Sequence, residues 1–82
     1  MQHGGSWIVE IHHDNINTRM GFMLVFEELL GMSAGEGAQL VDTLDQNGHA
    51  DFTPLPQPEA ERLVAAFQVR GVSAKLRKAR RA

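Results

Sequence analysis

The 82-residue chain contains no cysteine. That excludes disulfide staples, thiolate metal sites and thiol catalysis together, and leaves stability to packing alone. Such a composition suits a cytoplasmic setting. Long apolar runs are lacking as well. The longest, Phe22 to Phe26, is far too short to cross a bilayer, and no apolar segment follows the first six residues, so neither a membrane span nor a signal peptide is expected. Charge of one sign does not dominate either. A net charge of -2 argues against general nucleic-acid binding, although Lys75, Arg77, Lys78, Arg80 and Arg81 gather at the C-terminal end. Catalytic signatures are missing: the chain has no phosphate loop, no HExxH helix and no Ser-His-Asp order. A chain of this size builds one modest core with little room for an enclosed cleft. A binding protein without a cofactor, rather than an enzyme, is expected.

What is present is a regular alternation of strand and helix patterns. Trp7, Val9 and Ile11 alternate with Ile8, Glu10 and His12, the signature of a half-buried strand. From Thr18 onward Phe22, Met23, Phe26, Leu29 and Leu30 recur at helical spacing, with Asn17 or Thr18 available as N-cap and Gly31 placed to stop the helix. Ser33-Ala34-Gly35-Glu36 has the capping-box form, and Gly37, Leu40, Val41 and Leu44 trace one stripe of a second helix ending near Asn47-Gly48. Gly35 and Gly37 each cost that helix about 1 kcal/mol relative to alanine, so its first turn is expected to pack tightly against another element.

A short extended piece from His49 to Thr53 is cut off by Pro54, Pro56 and Pro58, which deny amide donors and restrict it to a short or edge strand. Pro58 suits the first turn of a third helix, with Ala60, Leu63, Val64 and Phe67 on its buried face and Arg70-Gly71 at its end. Val72 to Leu76 alternates as a final strand. The order β-α-α-β-α-β predicts an α+β sandwich of two layers, three helices against a three-stranded sheet. Residues 1–6 are expected to form a short flexible N-terminus, 7–76 the domain and 77–82 a basic tail.

Between the first strand and the first helix lies a polar turn, His12-His13-Asp14-Asn15-Ile16-Asn17-Thr18. Polar loops held by rigid elements are common binding sites. Taken alone, His12 and His13 at a strand end are as readily solvent-facing turn residues as ligands.

The segment His13-Asp14-Asn15-Ile16-Asn17 resembles the binding loop of ClpS-family adaptors, small proteins that capture the N-terminal residue of a polypeptide and hand it to a Clp unfoldase. In that family a strand ends in a loop of the type Asn-Asp-Asp/Asn-aromatic-Asn/Thr that leads into a long amphipathic helix. Further landmarks are collinear: Leu29-Leu30 before a glycine, Ala38-Gln39-Leu40, the turn at Gly48, and Ala60-Glu61-Arg62. The element order is also the family's.

The resemblance implies recognition of an α-ammonium group by His13, Asp14 and Asp45, which stand where the family has asparagine, aspartate and histidine. A protonated amine requires only acceptors, and neutral imidazole and carboxylates both supply them. The set is also more anionic than the family's. Asp45 sits near a helix C-terminus, where the macrodipole disfavours a carboxylate, so a compensating partner is expected. The hole for the ligand's first side chain corresponds to Asn17, Arg19, Val41 and Leu44. Val41 and Leu44 by themselves also read as plain core.

Several departures concern partners. Many family members carry methionine at the position of Arg19, and an arginine there can cover the hole with its methylenes while its guanidinium reaches solvent or a ligand carbonyl. Residues 1–6 form a shorter arm than the family uses for delivery. Glu61 is kept at the unfoldase-docking start of the third helix, whereas Pro58 and Leu63 replace charged residues common there. The implied partners are a peptide or protein N-terminus and a Clp-family AAA+ unfoldase, with no nucleic acid and no membrane. Two alternatives remain open from the sequence. One is a diverged ClpS-like interaction domain without amine recognition. The other is a small metal-binding domain in which His13, Asp14 and Asp45 hold zinc or manganese.

Overall fold

The computed structural model describes residues 6–79 except 15 and 53. Residues 1–5 of the expected N-terminus and 80–82 of the expected tail lie outside the described residues. Its elements run β1 (Trp7–His12), α1 (Arg19–Leu30), α2 (Ala34–Asn47), β2 (His49–Asp51), α3 (Gln57–Val69) and β3 (Ala74–Lys78). This is the predicted order. The strands make one antiparallel sheet in the order β2-β1-β3, so β1 is central and the short, proline-limited β2 is an edge strand.

Alternation in β1 decides which face of the sheet meets the helices. Val9 and Ile11 are fully buried, joined on that face by Ala50 and Ala74. The opposite face carries Glu10, His12, His49, Asp51, Lys75 and Arg77. There Arg77 donates to Glu10 and to Asp51, and His12 Nε2 lies 3.0 Å from Glu10 Oε1. The helical layer is knit by all four phenylalanines. Phe22 stacks on Phe26 at 5.9 Å, Phe26 meets Phe67 edge-on at 6.3 Å, and Phe52 stacks on Phe67 at 5.8 Å. Such offset and edge-to-face geometries suit the ring quadrupoles.

Local chemistry accounts for the helix ends. The Thr18 hydroxyl accepts from the Gly21 amide at 3.0 Å, and Gly31 takes the left-handed conformation (φ 67°) that ends α1. Ser33 and Glu36 form the complete capping box of α2, with Glu36 Oε1 accepting from the Ser33 amide at 2.9 Å and Ser33 Oγ from the Glu36 amide at 3.2 Å. Pro58 sits in the first turn of α3, where its missing amide costs nothing. The α1–α2 hairpin is antiparallel: Met23 packs on Gly37, and Arg19 at the start of α1 reaches Asp42 late in α2.

Three expectations need adjustment. Gly35 has nothing within 4 Å of where a Cβ would stand, and the Cβ of an alanine at Gly37 would meet Met23 at an ordinary 3.8 Å. Close packing therefore does not explain Gly35, whereas Gly37 is buried against Met23 with just enough room for a methyl group. The last strand runs 74–78 rather than 72–76, since the Val72 amide donates to Phe67 O at 2.9 Å and closes α3 instead of joining the ladder. Arg77 and Lys78 consequently belong to β3, not to a tail.

Candidate functional site

The β1–α1 loop is organised by one carboxylate. Asp14 Oδ1 accepts from the Ile16 amide at 2.8 Å and from the Asn17 amide at 2.7 Å, while Oδ2 accepts from Asn17 Nδ2 at 2.9 Å. This is an Asx-type turn, in which a short acidic side chain satisfies backbone donors that no helix or sheet reaches. Burial pushes the Asp14 carboxyl up. The Asn17 and Ile16 donors outweigh it and hold the group below its ordinary value, as expected when hydrogen bonds favour the charged form. Asn17 Nδ2 also donates to Gly71 O at 3.0 Å, tying the loop to the α3–β3 connection.

His13 is fixed from both sides. Its amide donates to Gly48 O at 2.9 Å, which brings the exit of β1 against the end of α2, and its ring tilts over Phe22 at 6.5 Å. Asp45 stands three residues before Gly48 on α2, and His13 Nε2 lies 3.2 Å from Asp45 Oδ1. Neither α2's last turn nor its cap provides a basic residue, so His13 is the partner that a carboxylate at a helix C-terminus requires. Arg19 supplies a cation. Its Nη1 is 2.8 Å from Asp42 Oδ1 and 4.0 Å from Asp45 Oδ2.

The sequence-predicted residues thus divide into two groups. His13, Asp45 and Arg19 form a charged chain across the gap between the loop and α2, extended by Asp42. Asp14 and Asn17 hold the loop itself. Asp14 keeps acceptor capacity, because a carboxylate offers about four lone-pair sites and three are engaged. Asn17 directs its amide toward Asp14 and Gly71 rather than into a hole beside α2. Val41 and Leu44 are core, 2% and 0% exposed. Glu61 is exposed on α3 and accepts from Gln57 Nε2 at 3.1 Å.

The metal alternative for His13, Asp14 and Asp45 finds no support in this geometry. Among the described residues no three histidine, aspartate or glutamate side chains are arranged to hold a metal ion. The reason is visible: Asp14 turns its oxygens to the amides of Ile16 and Asn17, while His13 faces Asp45.

Asp42 and the Gly71 carbonyl were not anticipated from the sequence. Asp42 is legible in retrospect, because it precedes Asp45 by three residues and therefore shares its helix face. The role of Gly71 depends on a contact across 54 residues and has no local signal.

Among known proteins, no family model matches the chain, and no curated protein matches by sequence. Solved structures do match, and they define the fold as ClpS-like. The structure of Agrobacterium tumefaciens ClpS2 bound to L-phenylalaninamide superposes with a TM-score of 0.83 at 16% sequence identity, covering 94% of this chain and 100% of that one. Similarity at this identity concerns the fold. Among the described residues, no helix is long and apolar enough to cross a membrane.

Proposed function

We propose that the protein is a binding module that captures the free N-terminal residue of a peptide or protein through its α-ammonium group. The observation that carries this reading is the His13–Asp45 pair, drawn together between the β1–α1 loop and α2 on a ClpS-like fold whose structural neighbour was solved with an amino-acid amide. An ammonium group needs converging acceptors. Asp45 offers its unshared lone pairs, Asp14 its remaining one, and neutral His13 a ring nitrogen. Side chains of 40% and 53% exposure at His13 and Asp45 leave the pair open to a ligand.

In this reading Val41 and Leu44 form the floor of the first-residue subsite, and Arg19 with the Asn17-braced loop forms its rim. Because Val41 and Leu44 are buried, a bulky first side chain enters only if the side chains around them move aside. The module then delivers its cargo to a Clp-type AAA+ unfoldase through the exposed start of α3 around Glu61. It is an adaptor rather than an enzyme.

An array of peptides bearing all twenty free N-terminal residues, each paired with its N-acetylated form, tests the proposal by fluorescence polarisation. Acetylation removes the charge and two donors, so binding of every free hit is expected to be lost. Equal affinity for free and acetylated forms rejects amine recognition in favour of a ClpS-like interaction domain of another specificity. Charge reversal by Glu61→Lys is expected to weaken pull-down of the unfoldase without changing peptide affinity.

A further inference from the structure

Arg19 and Asp45 occupy positions that their own helices disfavour. Arg19 is the first residue of α1, where the positive end of the macrodipole repels a cation, and no acidic residue in that first turn offsets it. Asp45 lies in the last turn of α2, at the negative end. The antiparallel hairpin brings these two misplaced charges together. A single nitrogen, Arg19 Nη1, makes a 2.8 Å ion pair with Asp42 Oδ1 while standing 4.0 Å from Asp45 Oδ2. Asp45 receives His13 on its other oxygen.

Asp42 is what holds the guanidinium short of full contact with Asp45. The two carboxylates are three residues apart on one face of α2, so they compete for one cation. With Asp42 present, the arginine rests on it and only leans toward Asp45. An arriving ammonium group is a second cation seeking the same oxygen.

We infer that Arg19 is a built-in counter-cation for Asp45, stationed by Asp42, and that a bound α-ammonium group must displace it. The displacement half of this inference rests on the amine-capture reading given above. The stationing half concerns this chain's own charges and stands independently. The device sets affinity through charge at the edge of the site: Asp42 strengthens capture by drawing the arginine away, and Arg19 opposes it. Displacement also makes binding of an amine less favourable wherever Arg19 has no alternative partner.

The test uses Arg19→Gln, Asp42→Asn and the double variant, all on side chains about half exposed (50% and 56%). Two measurements are made, the titration midpoint of the His13 ring by NMR without ligand, and the affinity for L-phenylalaninamide with its N-acetyl derivative as control. Arg19→Gln is expected to raise the His13 midpoint and tighten L-phenylalaninamide binding by about threefold, and Asp42→Asn to lower the midpoint and weaken binding by a similar factor. The double variant is expected to match Arg19→Gln, because Asp42 acts by positioning the arginine. Additive effects in the double variant, or an unmoved midpoint in both single variants, overturn the inference. Midpoints that move as expected with no amine bound by any variant leave Arg19 as counter-cation and overturn amine capture instead.

Discussion

Asp14, Asp42 and Asp45 carry the same chemical group, and their neighbours decide what each does. Asp14 meets three donors of its own loop and acts as a brace. Asp42 meets a guanidinium, and Asp45 meets an imidazole with a cation nearby. Removing the brace in Asp14→Ala is expected to cost about 1 kcal/mol in chemical denaturation, the usual worth of a side chain that satisfies otherwise orphaned amides. Removing the acceptor charge in Asp45→Asn should leave stability nearly unchanged and weaken binding of free N-termini by about tenfold in the peptide titration, the typical value of a hydrogen bond to a charged group. A variant that binds as tightly as the parent would remove Asp45 from the site.

At the scale of the element, α1 and α2 are specified by their ends more than by their middles. Thr18, Gly31, the Ser33–Glu36 box and Gly48 each satisfy backbone groups that a helix leaves unpaired, and each does so through residues within four positions. That locality is why the boundaries are legible in the chain. Gly35 is the exception, since its cost suggests a close approach that the hairpin makes only at Gly37. Gly35→Ala is therefore expected to stabilise the protein by about 0.5–1 kcal/mol, read as a higher denaturation midpoint with unchanged slope. Loss of stability there would mean that an unseen constraint governs the first turn. The end of α3 shows the opposite limit: the Val72 amide serves Phe67, so alternation alone places the strand two residues early.

For the whole molecule, the two faces of the sheet have separate tasks. One meets the phenylalanine-rich helical layer, and the other carries a surface ion network in which Arg77 joins Glu10 on the central strand to Asp51 on the edge strand. The hydrogen bond from Arg77 holds the Glu10 carboxyl below its ordinary 4.5, against the opposing effect of burial. Asp14 is likewise held below its ordinary 3.8. Both groups bind protons more readily unfolded than folded, so their stabilisation is complete above those ordinary values and is lost as pH falls through the lower folded ones. Thermal denaturation is expected to show a steep decline in stability below about pH 4.5, flattened by Glu10→Gln together with Asp14→Asn. An unaltered slope in that double variant would assign the acid limb to other carboxylates.

The sequence by itself determined the element order, the caps, the central alternating strand and the phenylalanines and aliphatics of the core, because each depends on neighbours at fixed spacings of two to four residues. It also marked His13, Asp14 and Asp45 as candidates through a resemblance of loop and landmarks. Only the tertiary structure decided what those side chains face. Asp14 turns back into its own loop, Asn17 reaches Gly71, and Arg19 settles between Asp42 and Asp45 because an antiparallel hairpin sets the positive start of one helix against the negative end of the next. Charge pairing across such a hairpin is fixed by the packed Met23–Gly37 contact and the turn at Gly31, at separations where no periodic pattern in the chain survives to record it.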